Sequence, residues 1–474
     1  MKRCSGAFLF PVTDSGAAVS VDRKLTLTQM TLKRDHSMDA TAKQQEQQIE
    51  LSPWQHCAFF LLACAALVAR RPDAIFHAQF WAEDGRVWFA DAYNFGWWAA
   101  LFRQDGGYLQ TFPRLGASLA LLGPLFLAPL VLNLIAIAVQ ALPVNLLLSS
   151  RSSAWGNLRS RAFFASMYLA LPNCRELSAN IESSQWVLAL CAFLLLVASI
   201  PRSAVGRLFD LSVLLLCGLT GPFCIFLLPI ALFLAWRHRD RWRWVPVGAL
   251  AALSLVQAWP LLLNTGFSSR PHYALGASPA LFTRILAGQV YLGTLLGHNE
   301  LAAHSGPLLF AGSLISPARL FIFLLCVAIG GTAIVAICFV KSAVEMKLFL
   351  LLSTMLLAAS LISPTAYPPA GVSVWELLAA APAIRYWSFP TLAFAWSLLW
   401  CFRSRAALLK IVSAYLLILM CIGILRDWRH PAFQDLHFAE YVKRFEAAPV
   451  GTTVTIPVNP IGWDLRLVKR SPGQ

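Results

Sequence analysis

Two adjacent carboxylates, Glu83 and Asp84, stand just beyond the first apolar run, in the stretch Phe80-Trp81-Ala82-Glu83-Asp84-Gly85. A carboxylate at the membrane surface can act as a general base toward an acceptor hydroxyl or amine, or it can hold a divalent cation. Neighbouring side chains diverge by about 100° on a helix and about 180° on a strand, so the two acids are not expected to share one role. One would be base or ligand, and the other would orient it or face solvent.

Two further polar segments offer complementary chemistry. The stretch from Asn173 to Trp186 carries Glu176, Asn180 and Gln185, and a later loop carries Arg385-Tyr386. A guanidinium matches the oxygens of a phosphate bidentately, so Arg385 beside Tyr386 can bind a phosphate leaving group. Simpler interpretations exist for each: helix capping for the acid pair, a hydrated turn for the second stretch, and an interfacial snorkelling pair for Arg385-Tyr386.

The composition specifies the kind of element that must position these residues. Of the 474 residues 58% are hydrophobic and 13% are charged, which excludes an ordinary soluble globular protein and predicts a polytopic membrane protein. The net charge of +15 fits the enrichment of Lys and Arg in cytoplasmic loops. Nothing in the chain indicates a nucleic-acid partner.

The apolar runs predict an all-α bundle of about eleven spans. A polar, disordered cytoplasmic tail is expected over residues 1–53, a transmembrane catalytic-type domain over 54–425 and a small non-cytoplasmic segment over 426–474. The segment Arg86 to Arg103 is expected to form an aromatic-rich helix lying in the interface. The predicted spans are 54–69, 126–148, 162–171, 187–200, two short spans within 211–236 that turn at Thr220-Gly221-Pro222, 245–263, 320–340, 348–362, 387–401 and 408–425.

The charges of the connecting loops orient these spans. Arg and Lys concentrate in alternate short loops, so the positive-inside rule places the N-terminus in the cytoplasm and the C-terminus outside. The acid pair, the Glu176 to Gln185 stretch and Arg385-Tyr386 then share the non-cytoplasmic face. Their convergence predicts a cleft between membrane and water that an amphiphilic substrate can enter.

Several short motifs resemble a known superfamily. An acidic pair after span one followed by an interfacial aromatic helix resembles the GT-C integral-membrane glycosyltransferases, and the remaining motifs look like a group of bacterial inner-membrane proteins of that kind. The resemblance covers residues from about 54 to the end. Its motifs are Trp81-Ala82-Glu83-Asp84-Gly85, Gly107-Tyr108-Leu109 with Pro113-Arg114, Asn180 with Gln185-Trp186, Leu219-Thr220-Gly221-Pro222-Phe223, Arg385-Tyr386 and Asn459-Pro460-Ile461-Gly462-Trp463.

This resemblance implies a fold of GT-C type and a polyprenyl-phosphate-linked sugar as donor, with a cell-envelope glycan or glycolipid as acceptor. The superfamily's first-loop acid falls on Glu83 or Asp84, although the order here is Glu-Asp rather than Asp-Glu, so the acting acid stays open. Arg385 would stabilise the departing phosphate and Tyr386 and Tyr108 would position it, while Asn180 and Gln185 would contact sugar or acceptor. Further predicted substrate-binding residues are Arg114, Glu176 and Trp186.

Two other classes of function compete with this one. A polytopic transporter or lipid-glycan flippase would place ionisable residues in mid-span and often shows repeated halves, neither of which is visible. A non-catalytic assembly subunit would tolerate replacement of both acids. No metal site is predicted, because His298, Glu300 and His304 fit no strong ligand spacing; apart from a divalent cation on the acid pair, no cofactor is expected.

Overall fold

The structure is a computed structural model that describes residues 50–262, 273–298, 316–381 and 384–471. Most of the predicted tail 1–53, together with Glu300 and His304, lies outside the described residues. These residues are mostly helical, with 71% of them in helices and 5% in strands. The helices are α1 (Pro53–Arg70), α2 (Asp73–Phe76), α3 (Ala90–Phe95), α4 (Trp97–Leu101), α5 (Thr111–Ala120), α6 (Ala128–Leu148), α7 (Leu158–Leu169), α8 (Ser184–Val197), α9 (Ala204–Gly218), α10 (Phe223–His238), α11 (Trp244–Leu262), α12 (Pro279–Arg284), α13 (Gly293–Leu296), α14 (Pro317–Lys341), α15 (Val344–Ile362), α16 (Val374–Ala380), α17 (Ser388–Phe402), α18 (Ala407–Asp427) and α19 (Phe438–Ala447).

Shorter elements connect these helices. Within the described ranges, two segments are π-helical, Asp84–Phe89 and Ile285–Leu292. The 3₁₀ turns are Leu125–Leu127, Ser150–Trp155, Arg175–Leu177, Arg241–Arg243 and Arg385–Trp387. Two antiparallel hairpins are formed by β1 (Gln104–Asp105) with β2 (Tyr108–Leu109) and by β3 (Thr453–Val458) with β4 (Trp463–Val468).

The predicted apolar runs are confirmed as helices. Among the described residues, four helices are long and apolar enough to cross a membrane, at Leu125–Leu148, Ala318–Lys341, Val344–Ile362 and Ala407–Asp427. Helices α8 and α10 are apolar but shorter. All 14 residues of α8 are buried, so this helix lies inside the bundle, where a segment too short to span by itself is tolerated.

The first loop differs from the single interfacial helix predicted over Arg86 to Arg103. A π-helical turn over Asp84–Phe89 leads into α3, and Gly96 then separates α3 from α4. Gly96 has a φ of 87°, which a helix cannot contain and which glycine adopts without steric cost. Trp97 and Trp98 are 55% and 62% exposed, so the aromatic surface that motivated the prediction is present on α4.

The all-α prediction missed the C-terminal hairpin. Residues 456, 458, 465 and 467 alternate inward along β3 and β4, and Ile456 pairs directly with Leu465. These side chains share a core with the first loop, to which α19 contributes Phe438 and Phe445. The last segment of the chain therefore packs on the loop that carries the acid pair.

Candidate active site

The C-terminal hairpin holds the backbone in front of the acid pair. Trp81 pairs with Asn459 in an isolated bridge, the Ala82 N–H donates to the Asn459 carbonyl, and the Asn459 N–H donates to the Phe80 carbonyl at 3.2 Å. Ala82 has a φ of 38°, an unfavourable left-handed conformation for a residue with a Cβ. The hairpin tip thus fixes the strained residue that immediately precedes Glu83.

Asp84 binds the second polar segment and is sealed from solvent. Its carboxylate accepts hydrogen bonds from the backbone N–H of Glu182 at 2.9 Å and of Ile181 at 3.3 Å. The residue is only 1% exposed. Burial raises the pKa of the Asp84 carboxyl well above its usual value, against the opposing effect of the two amide bonds. Asp84 therefore joins two loops and has no open path to a substrate.

Glu83 lies in a different environment from its neighbour. It is half-buried, and its Oε2 accepts no hydrogen bond from any described residue. The pKa of the Glu182 carboxyl is raised well above its usual value, first by burial and then by the charge of Glu83. Glu83 therefore acts electrostatically on the same buried acid that Arg385 contacts.

Arg385 anchors the second segment to the opposite side of the site. Its Nη1 donates to Glu176 Oε1 at 2.7 Å and to Glu182 Oε1, and its backbone N–H donates to Glu176 Oε2 at 2.6 Å. Burial opposes the charged guanidinium, but the two carboxylates raise the pKa of Arg385 well above its usual value. Arg385 is therefore a permanent cation, and neither its Nε nor its Nη2 has an acceptor among the described residues.

A cavity of about 270 Å³ opens in front of Arg385. Five of the predicted substrate-binding residues line it: Tyr108, Gln185, Trp186, Arg385 and Tyr386. The other walls come from the start of α10 and the end of α15 with the segment that follows it: Pro222, Phe223, Ile225, Phe226, Leu356, Ala359, Ser360, Ser363 and Thr365. The cavity thus has a polar end at Arg385 and apolar walls along two helices.

The aromatic wall of the cavity is held by specific contacts. The Trp186 ring meets the rings of Phe223 at 5.0 Å and Tyr386 at 5.9 Å, both edge-on. The Tyr386 hydroxyl donates to the Thr365 carbonyl at 3.0 Å and accepts from the Thr365 N–H at 2.7 Å. These partners occupy the Tyr386 hydroxyl, so this residue contributes its ring to the wall rather than a free donor.

Neither acid of the pair, Glu83 or Asp84, lines the cavity, and three of the predicted substrate-binding residues also lie outside its lining. Arg114 is fully buried, donates to Asp91 at 2.8 Å and lies over the Trp88 ring. Asn180 is also fully buried, and donates to the Glu176 carbonyl. Glu176 itself contacts the cavity only through Arg385. These residues support the walls of the site through the contacts just described, while Nε and Nη2 of Arg114 have no hydrogen-bond partner among the described residues.

Asp105 is a candidate that the sequence analysis did not select. It lies in the β1–β2 hairpin, three residues before Tyr108. Burial, followed by the charge of Glu83, raises the pKa of Asp105 to about 6. The charges of Asp105 and Glu83 also act on Tyr367, which is 60% exposed. In the sequence, Asp105 is a single acid in a glycine-rich turn. This pattern is common at protein surfaces and therefore did not indicate a site.

No group of three His, Cys, Asp or Glu side chains within the described ranges is arranged to hold a metal ion. The atoms best suited to a cation are Glu83 Oε2 and Glu182 Oε2, both buried and unpartnered in this part of the chain. His298 instead lies 2.9 Å from Asp427. The divalent cation on the acid pair stays a prediction.

No protein-family model matches the chain, and the curated proteins contain no significant match to it.

Proposed function

We propose that the chain is a membrane glycosyltransferase of GT-C type, with about eleven spans. It transfers a sugar from a polyprenyl-phosphate donor to a cell-envelope glycan or glycolipid. In this proposal the protein lies in a bacterial inner membrane with its N-terminus in the cytoplasm and its C-terminus in the periplasm. The site then faces the periplasm, where lipid-linked sugars and envelope acceptors meet.

The shape and polarity of the cavity carry the proposal. Its polar end presents Arg385, Gln185 and Tyr108, and its walls are apolar side chains of α10 and α15. Ile225 on α10 and Ile362 at the end of α15 are 37% and 70% exposed, as expected for helix surfaces that face hydrocarbon. A polyprenyl phosphate needs this combination, a cationic site for the phosphate and an apolar path for the chain.

The contacts favour Glu83 over Asp84 as the base. Glu83 has an unpartnered carboxylate oxygen, whereas both oxygens of Asp84 accept backbone hydrogen bonds. In the proposed reaction Glu83 removes the acceptor hydroxyl proton as that oxygen attacks C1 of the sugar. The C1–O bond to phosphate breaks and its electron pair leaves with the polyprenyl phosphate.

Arg385 supports the departure of the phosphate. Glu176 and Glu182 hold one nitrogen of its guanidinium, which fixes the plane of the group. The other nitrogens then donate to phosphate oxygens, whose negative charge increases as the bond breaks. Gln185 and Tyr108 flank this position in the cavity lining, and Asp84 orients Glu83 through its bonds to the second segment.

The test uses the full chain reconstituted in lipid vesicles with a panel of polyprenyl-phosphate sugars and envelope glycolipid acceptors. The proposal expects donor-dependent release of polyprenyl phosphate with one sugar class, lost in Glu83→Gln and in Arg385→Gln. Gln104→Asn serves as the control, because it is a conservative change at an exposed residue of the β1–β2 hairpin that carries Tyr108. Movement of a lipid-linked sugar across the vesicle without bond cleavage would instead support the flippase alternative.

A further inference from the structure

A second cavity lies at the other end of the bundle. Helix α17 begins beside Arg385 and ends at Phe402, so its two ends are about 22 Å apart. At its C-terminal end lies a cavity of about 430 Å³ whose lining includes Trp155, Gly156, Trp400, Arg403 and Arg405. This cavity is separate from the proposed active site and plays no part in the transfer reaction.

The lining of this cavity offers donors and no carboxylate. Arg403 and Arg405 are exposed at its mouth, and neither forms an ion pair with a residue that the structure describes. Trp155 is only 5% exposed, and its indole N–H lacks an acceptor in the same part of the chain. Gly156 adopts a φ of 99° close to Arg403, so the backbone turns sharply beside the guanidinium. Such a set of groups favours an anionic ligand.

The surroundings indicate where that anion comes from. Directly after Arg405, helix α18 begins with large apolar side chains that face outward: Leu408 is 74% exposed and Ile411 is 67% exposed. Phe402, the last residue of α17, is 39% exposed. A ligand held by the two arginines therefore has an apolar helix surface beside it, which suits acyl chains. Basic pockets between membrane helices bind anionic headgroups by this arrangement.

We propose that Arg403 and Arg405 bind the phosphate of an anionic phospholipid headgroup, with Trp155 and Trp400 forming the floor of the site. Each guanidinium can donate two parallel hydrogen bonds to phosphate oxygens. The zwitterionic headgroup of phosphatidylcholine also carries a quaternary ammonium cation, which these two arginines repel. The site therefore prefers phosphatidylglycerol to phosphatidylcholine.

Native mass spectrometry of the full chain in detergent, titrated with phosphatidylglycerol or phosphatidylcholine, tests this site. The R403Q/R405Q variant should bind phosphatidylglycerol about tenfold more weakly than the wild type, because two charge-assisted contacts are lost. The matched control is R237Q/R241Q, which removes two other exposed arginines at the same end of the bundle; its binding should stay within about threefold of the wild type. Phosphatidylcholine binding should be weak and equal in all three proteins.

Equal weakening in both double variants would overturn the proposal, because it would show general attraction between a basic surface and anionic lipid. Equal affinity of the wild type for the two lipids would overturn it as well. Inorganic phosphate distinguishes the source of the anion: if millimolar phosphate alone protects the wild type from thermal unfolding and phosphatidylglycerol does not, the ligand is a free phosphate. If R403Q/R405Q fails to fold, R403K/R405K replaces it and should weaken phosphatidylglycerol binding by about threefold, since lysine keeps the charge but not the bidentate geometry.

Discussion

Glu83→Gln and Asp84→Asn change adjacent residues but should have different effects: the first should abolish transfer, and the second should lower stability. Glu83 is half-buried with one unpartnered oxygen, so replacing its carboxylate with the glutamine amide should change the free energy of unfolding by less than about 1 kcal/mol. Loss of a general base typically lowers the rate by about 10²–10⁴-fold. We therefore expect Glu83→Gln to keep its fold and lose transfer.

Asp84 should behave in the opposite way. The asparagine amide keeps an oxygen for the 2.9 Å bond from Glu182, but it places an N–H group against the Ile181 N–H, which loses its 3.3 Å bond. One lost buried hydrogen bond costs about 1–3 kcal/mol. Transfer by Asp84→Asn should stay within about tenfold of the wild type, the effect of a small shift in Glu83 rather than of a lost base.

Asp84→Ala extends the series, because it leaves both amide groups unpaired and should cost about 2–6 kcal/mol. Thermal unfolding in detergent and initial transfer rates from the same preparations measure both quantities. The reasoning would be refuted by an Asp84→Asn protein that unfolds like the wild type yet transfers no sugar, while Glu83→Gln remains active. That result would make Asp84 the base.

Three further predictions concern residues around the acid pair. Asn459→Ala removes side-chain hydrogen bonds to Gln79 and Gln434 at 3.1 and 3.0 Å and should loosen the hairpin that fixes Ala82. The value of kcat should fall about ten- to hundredfold with KM unchanged, and an unchanged kcat would exclude a positioning role. Asp105 has a raised pKa of about 6, so its folded form holds a proton that the unfolded form has released, and stability should fall as pH rises from about 4 to above 6; Asp105→Asn should abolish that fall in thermal unfolding across this pH range. Burial and the nearby charge of Arg70 lower the pKa of His430 well below its usual value, so stability should decline as pH falls below about 6.5. The unfolding midpoint of His430→Gln should not show this decline, and a decline equal to that of the wild type would refute the assignment.

The helices could be predicted from local pattern because apolar runs and their breaks are local. The span expected over residues 387–401 is helix α17, Ser388–Phe402, and the turn expected at Thr220-Gly221-Pro222 separates α9 from α10. The break at Gly96 was missed, because aromatic residues continue on both sides of it. The loop charges also predicted that Gln185 and Arg385 share one face, and both line one cavity together with Tyr108, which was selected on the resemblance.

The roles of individual acids depended on contacts that no local pattern contains. Asp84 meets the Ile181 N–H 97 residues away, and this contact rather than its type or neighbours decides that it is buried. Asn459 reaches Gln79 across 380 residues. Asp105 was passed over because an acid in a polar loop usually faces water, and Glu182 was weighed only as a member of the second polar stretch. In the structure the charge of Glu83 contributes to the raised pKa of both carboxyl groups.

The most direct test of the central claim compares surface glycans and glycolipids by mass spectrometry. The comparison needs cells with the intact gene, a deletion, and the deletion complemented with the wild type, Glu83→Gln or Asp84→Asn at matched protein level. We predict that one sugar modification disappears in the deletion and in Glu83→Gln and is restored by the wild type and largely by Asp84→Asn. Unchanged glycans in every strain, or full rescue by Glu83→Gln, would contradict the assignment of this chain as a glycosyltransferase with Glu83 as its base.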